Sequence, residues 1–594
     1  MLDLVIEGGT VVDGSGGAPL TADIGVAAGR IVEVGRITAA AHERIDARGA
    51  WVTPGFVDIH THYDGQASWD ETFSPSIQHG VTTLVMGNCG VGFAPLRAGP
   101  KDRATAALIA LMEGVEDIPG VALAEGVRFD WETFPQYMDA LERLPHSLDY
   151  LVQVPHDPLR MLVMGERAIA QQAATEDDIA AMRDVLREAL LAGAAGFSTG
   201  RSDNHRTSRG EDTPAAQASA GELAGIARAF EGLRHGVVQL VSDFDLLRGP
   251  QHFDAEFDLV EVLARASGRP LSMTWLQRDP GGEQWLRMRE RVDRGVAQGL
   301  DLYLQTAARG IGAINGLDAS FHPFMGFPGY QEIARLPLAE RAELLREPQR
   351  KARILAEKSQ PMAGDGTPIP PLVDILLGMI ELISARMFPL SSRDDEAPDY
   401  EPNVSSSFYV RAKQRGVSAL EAIYDHLTQG DGSNLIYFPI FNYNDGNLDA
   451  VRTMLEHPRA LCGLGDAGAH VGTICDASFS TFMLTHWVQG RESGRFALED
   501  VVNRLSARNA CYLGLRDRGR VAPGQRADLN VIDPRRLGLG APKLVRDLPA
   551  GGKRFLQKGL GYIGTWVAGQ RVQQEGVVSA LRPGRLVRMG RLGC

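Results

Sequence analysis

The sequence predicts an α/β protein: a (β/α)8 barrel of the TIM type with a small β-sandwich built jointly from the N- and C-terminal segments. Three observations lead there. Through the middle of the chain, apolar strand-like runs alternate with stretches of helical periodicity, the texture of a parallel sheet wrapped by helices. Eight such runs can be counted from Phe56 onward, the number that closes a barrel. The two ends have another texture, short strands punctuated by glycine, and neither end alone has enough strands to bury a face.

At the N-terminus, 4–13, 22–26 and 29–35 alternate and turn tightly, and 527–533 and 564–572 repeat the style near the other end. Residues 1–53 and 520–594 are therefore expected to form the sandwich, with the barrel over 54–519. The opening barrel strand runs into Gly55-Phe56-Val57-Asp58-Ile59-His60-Thr61-His62, and further strands are expected at 82–89, 150–156, 195–200, 237–243, 270–275, 301–306 and 461–466. Helices fall between them, for example at 177–191 and 257–266. From about 315 to 434 the chain is too long for a plain connection. With a Pro/Gly-rich piece at 359–371, an acidic patch at 393–401 and helical pieces at 338–356 and 420–427, it reads as an insertion, either a lid over the barrel mouth or a surface decoration.

The opening strand carries the chemistry. Side chains two apart share a face of a strand, so His60 and His62 converge on one point beyond its carboxyl end, where a closed barrel keeps its reactive groups. Core histidines would alternate in the same way, but two adjacent imidazoles at a strand end are the donors that a divalent metal requires. Cys89, His156, Asp243 and Asp466 also fall at or just past expected strand ends.

Composition narrows the reaction class. Over 594 residues the formal net charge is -13, which argues against nucleic acid or an anionic membrane as partner and favours a small-molecule substrate. Five scattered cysteines do not make a disulfide framework, and Met1-Leu2-Asp3-Leu4-Val5 has no basic flank or apolar core of a leader, so a cytoplasmic protein with reduced thiols is expected. No run reaches the ~20 uninterrupted apolar residues of a membrane span. The most apolar piece, 372–383, is interrupted by Asp374 and Glu381. Assembly into a homo-oligomer is left open.

With its N-terminal strands, Pro54-Gly55-Phe56-Val57-Asp58-Ile59-His60-Thr61-His62, and the closing Ala522-Pro523-Gly524-Gln525-Arg526-Ala527-Asp528-Leu529-Asn530, the sequence resembles the metal-dependent amidohydrolase superfamily, and within it the D-aminoacylase (N-acyl-D-amino-acid deacylase) branch. The resemblance implies that Cys89, in Gly87-Asn88-Cys89-Gly90, is a metal ligand, since that branch places a bridging cysteine there. A buried structural cysteine is the alternative. It also implies that Asp466, in Gly465-Asp466-Ala467-Gly468, touches the metal and shuttles a proton, where a turn-capping aspartate is the alternative. The branch further supplies a histidine from the fifth and from the sixth strand. Here the corresponding stretches read Val241-Ser242-Asp243-Phe244 and Ser272-Met273-Thr274-Trp275, without one.

The expected metal set is therefore His60, His62, Cys89 and Asp466, holding one zinc ion or two, with another divalent metal left open. Asp243 is a candidate oxygen donor in place of a lost ligand. His156 is expected at the mouth as a carbonyl-polarising or loop-fixing group, Arg201 and Arg309 as receivers of a substrate carboxylate, and Tyr303 and His470 as further substrate contacts. The implied reaction is hydrolysis of an amide-like C–N bond in an N-acyl amino acid, with Asp466 as general base and acid. A cyclic amide, lactone or ester substrate is the alternative, and a non-catalytic metal- or ligand-binding relative is the alternative of another class.

Overall fold

A computed structural model describes the chain apart from residues 97–100, 245–248, 250, 279–281, 361–375, 394 and 591–594 and the side chains of 101–103. Most of the Pro/Gly-rich piece at 359–371 thus lies outside the described residues. Eight parallel strands form the central sheet in sequence order: β1 (Phe56–Asp58), β2 (Val81–Met86), β3 (Asp149–Pro155), β4 (Gly196–Arg201), β5 (Val237–Ser242), β6 (Leu271–Thr274), β7 (Leu302–Thr306) and β8 (Ala460–Cys462). Every residue of β2, β3, β5 and β6 is buried, as strands covered on both faces must be. The sheet curls shut where Thr61 bridges Ala467 and the His62 N–H donates to the Ala467 carbonyl at 2.8 Å. Asn509 clamps the same seam, its amide donating to the carbonyls of Val57 at 2.8 Å and Cys462 at 2.9 Å.

At the amino end, the barrel interior is filled by Val57, Ile59, Val85, Leu151, Ala195, Val237 and Leu461 together with Tyr512. That plug leaves the carboxyl end as the open face. A nine-stranded sheet joins the two chain ends, because Trp51–Pro54 pairs antiparallel with Leu529–Ile532, Val52 opposite Val531. Its core gathers Ile6, Ile24, Val26 and Val52 with Leu529, Val531 and Trp566.

The long interval after β7 builds its own layer. Ile311–Asn315, Phe388–Leu390 and Leu435–Phe441 form a three-stranded antiparallel sheet backed by an apolar cluster that includes Phe324, Phe327, Tyr330, Phe408, Ile423 and Tyr424. Ile311 and Phe441 pack with Leu276, Ala307 and Leu464, which lie just beyond the carboxyl ends of β6, β7 and β8, so this layer covers that side of the mouth. It is tied down by Gln277: its backbone N–H donates to the Asn442 side chain at 2.8 Å and its carbonyl accepts the Asn442 N–H at 3.0 Å. The helix expected over 338–356 is two helices, Leu338–Leu345 and Pro348–Ala356, because Pro348 cannot continue the first and opens the second. Among the described residues, no helix is long and apolar enough to cross a membrane.

Candidate metal centre

The expected eighth strand, 461–466, is cut short at Cys462 because Leu464 and Asp466 adopt left-handed φ values of 54° and 43°. Cys89, with φ 57°, likewise lies past the end of β2. Left-handed backbone at non-glycine residues is costly, and here it collects around one point, the pattern of a functional site. The glycines beside Cys89 allow close approach. A Cβ at Gly87 would stand 2.3 Å from the Gln153 carbonyl oxygen, and one at Gly90 would stand 2.6 Å from the Gly200 nitrogen.

These turns bring four groups together. Cys89 Sγ lies 3.2 Å from His60 Nε2 and 3.9 Å from His62 Nε2, and Asp466 Oδ1 lies 3.3 Å and 3.8 Å from the same two nitrogens. A tetrahedral ion bonded at 2.0–2.3 Å holds its ligand atoms about 3.3–3.7 Å apart, so the trio His60, His62 and Cys89 is spaced for one divalent cation, and Asp466 adjoins that trio through the two imidazoles. The two imidazoles are 1% exposed, whereas the Asp466 side chain keeps 17%, which makes it the member that solvent and substrate reach.

Each histidine has a polar group behind its ring, hydrogen-bonded for His60 and at ion-pair distance for His62. His60 Nδ1 is 2.6 Å from Gln305 Oε1 on β7, and the Gln305 amide nitrogen donates to Ser272 Oγ at 2.9 Å, which fixes the amide with its oxygen toward the ring. Nδ1 must then carry the proton, leaving the Nε2 lone pair facing Cys89 and Asp466. His62 Nδ1 lies 3.2 Å from Glu116 Oε1, a buried carboxylate at the end of helix α1 (Lys101–Glu116). An acceptor behind each ring is the arrangement that orients metal-ligating histidines. We expect Gln305→Leu and Glu116→Gln each to weaken metal binding by about 10–100-fold, measured by competition with a chelator, with the fold retained.

The electrostatics also call for a cation. Burial pushes His60 down to about 4, against the Gln305 hydrogen bond, and pushes His62 well below its usual range, aided by nearby His60, His470 and His205. Both are therefore neutral donors at neutral pH. Burial pushes the Cys89 thiol well up, reinforced by Glu116, Asp466 and Asp64, and raises Asp466 and Glu116 above the usual carboxylate range. Buried acids that oppose one another's ionisation are relieved by a divalent ion between them, which favours the deprotonated forms.

The other expected contacts are placed differently. His156 is buried and fixed by Thr199 Oγ1 at 2.9 Å and Glu222 Oε1 at 3.3 Å, the loop-fixing alternative. Arg201 is engaged by Glu256, Nε to Oε1 at 2.6 Å, and Arg309 by Asp476 at 2.8 Å with its guanidinium 3.6 Å over the Tyr400 ring. Neither presents the free fork that a substrate carboxylate would take. Tyr303 packs on Tyr512 in the plug at the amino end, away from the mouth. Asp243 lies outside the cluster of His60, His62 and Cys89 and pairs with Arg278 NH2 at 3.1 Å. His470 does stand at the site, 3.7 Å from Glu116 Oε2. Glu116, Gln305 and Arg278 went unseen in the sequence reading, although the inward alternation of Tyr303 and Gln305 on β7 carried a signal for one of them.

The amidohydrolase family profile matches residues 43–362 and 434–573, interrupted only within the insertion. The chain belongs to the amidohydrolase family. It is 29% identical to the D-aminoacylase of Alcaligenes xylosoxydans xylosoxydans over 539 residues, 90% of this chain and 88% of that one. Its fold is that of a solved D-aminoacylase described as having a binuclear metal centre (TM-score 0.63, 23% identity, 99% of this chain and 100% of that one). An N-acyl-D-glutamate deacylase of Bordetella bronchiseptica, solved with zinc and a phosphonate inhibitor, has the same fold (TM-score 0.61, 24% identity, 99% of each chain).

Proposed function

We propose that this amidohydrolase cleaves the amide C–N bond of an N-acyl amino acid, with a zinc ion held by His60, His62, Cys89 and Asp466. The convergence of His60, His62 and Cys89 at one barrel mouth, with Asp466 against the two imidazoles, carries the reading. A divalent ion held there acidifies water to a pKa of about 7 and polarises a carbonyl. The residues supply the rest. Asp466, raised by burial and exposed on one side, accepts the proton of the attacking water and delivers it to the amide nitrogen as the C–N bond breaks, giving a carboxylate and a free amine. His60, neutral and fixed by its hydrogen bond to Gln305, and His62, neutral with the Glu116 carboxyl 3.2 Å behind its Nδ1, turn their Nε2 atoms toward the site.

An N-acyl-D-amino acid is the substrate that the similarity to D-aminoacylase favours. The test is a metal count on purified protein together with a hydrolysis screen of N-acetyl-D- and L-amino acids beside lactams and lactones. We expect stoichiometric metal, turnover of the N-acetyl-D-amino acids, and loss of that turnover on chelation. Metal-free protein, or turnover of ring substrates alone, would overturn the reading.

A further inference from the structure

The ligands of the proposed cation come from one arc of the mouth, past β1, β2 and β8, and β5 and β6 stand across from them. A second cation sharing the Cys89 sulfur would need its other ligands from that opposite arc. The side chains there are neutral. Gln239 on β5 pairs in register with Ser272 on β6, and Thr274 on β6 with Gln305 on β7, so the four point to one face. Gln305 reaches His60, which makes that face the interior. Gln239 Oε1 accepts the Cys89 N–H at 2.7 Å, and Gln305 Oε1 lies 2.6 Å from His60 Nδ1. Ser272 Oγ lies 2.7 Å from the Tyr512 hydroxyl and accepts from Gln305 at 2.9 Å. Of these oxygens, only that of Thr274 has no partner.

Charged groups on that side do not make up the difference. Asp243, which follows β5, is fully engaged: Oδ2 accepts from Ser202 Oγ at 2.7 Å and from the Asp203 N–H at 2.6 Å, and Oδ1 pairs with Arg278 at 3.1 Å. Arg278, 4% exposed, puts a fixed positive charge there, which opposes a further cation. His205, on the loop after β4, has Asp243, His60 and Arg278 as electrostatic neighbours and stands outside the cluster of His60, His62 and Cys89. Among the described residues, that cluster is the sole group of three His, Cys, Asp or Glu side chains close enough to share an ion. A zinc ion takes at least three protein ligands, a requirement that the opposite arc does not meet.

Gln239 stands at the sulfur instead. Its side chain is 1% exposed, its oxygen is fixed on the Cys89 N–H, and its amide nitrogen has no partner. Buried donors are nearly always paired. The same side chain favours the thiolate form of Cys89, as a donor to sulfur does. An amide N–H left over beside a thiol is thus matched once the sulfur is an anion bound to a cation. We propose that Cys89 is a terminal ligand of a single cation, and that the Gln239 amide N–H caps the face of the sulfur that a second cation would take. This rests on the cation reading above and decides between one ion and two. A shared thiolate divides its charge between two ions, whereas a capped one gives it to one.

The test titrates metal-free full-length protein with cobalt(II), which enters zinc sites and reports on its ligands. Calorimetry and equilibrium dialysis are expected to show one tight equivalent per chain, and the EPR signal of that ion to persist in excess cobalt. A second tight equivalent, or loss of the signal through coupling across a shared sulfur, would overturn the proposal. No tight equivalent at all would overturn the cation reading itself and this inference with it. In Gln239→Leu the stoichiometry is expected to stay at one while cobalt affinity falls by about tenfold or more, as when a group behind a metal ligand is removed. The thiolate-to-cobalt charge-transfer band should move to lower energy, because the sulfur has lost a donor, and Tm recorded alongside separates this from a change in fold. An unmoved band with unchanged affinity in Gln239→Leu would overturn the role of Gln239. The wild-type titration decides the number of ions independently of any variant.

Discussion

Asp466→Asn is expected to keep its metal and to lower kcat by about a thousandfold, within the range that removal of a general base and acid produces. The amide retains an oxygen donor near His60 Nε2 and so leaves the cluster nearly intact, but it cannot take a proton from water and return it to nitrogen. The left-handed backbone at Asp466 suits asparagine as well as aspartate, so the turn should survive the change. Steady-state kinetics alongside a metal count checks both halves. A large loss of metal would move Asp466 from proton transfer to ligation alone, and an unchanged kcat would remove it from the chemistry.

His60→Ala is expected to behave in the opposite order, losing the metal first and activity as a consequence. The ring is buried, its Nδ1 is bound by Gln305, and its Nε2 is the atom closest to Cys89 Sγ. Removing it opens the cluster and leaves the Gln305 carbonyl oxygen without a partner. Metal catalysis is worth several kcal/mol, so activity should fall by about three powers of ten, with metal content reduced to a small fraction of one ion per chain. The barrel should remain folded, because the apolar plug at its amino end does not include His60. Elemental analysis and circular dichroism on the same preparation distinguish metal loss from unfolding.

The parts of this molecule that were legible in the sequence are those set by local pattern. The eight barrel strands announced themselves as short runs rich in apolar residues, because parallel strands are covered on both faces. His60 and His62 were legible for the same local reason, since their convergence follows from strand geometry. What escaped depends on tertiary partners. Glu116 sits at the end of a helix in the excursion between β2 and β3, and only the closed barrel brings it to His62. Arg201 and Arg309 looked free because their carboxylate partners, Glu256 and Asp476, lie 55 and 167 positions away in the chain. The end of β8 was overextended because left-handed conformations at Leu464 and Asp466 leave no mark that residue type alone reveals.

The central proposal is a single cation shared by side chains just past the ends of β1, β2 and β8. Anomalous diffraction at the zinc edge from crystals of zinc-loaded protein tests it directly. The expected result is one strong peak within bonding distance of His60 Nε2, His62 Nε2, Cys89 Sγ and Asp466. A peak elsewhere, or one that leaves Cys89 and Asp466 beyond reach, would contradict it.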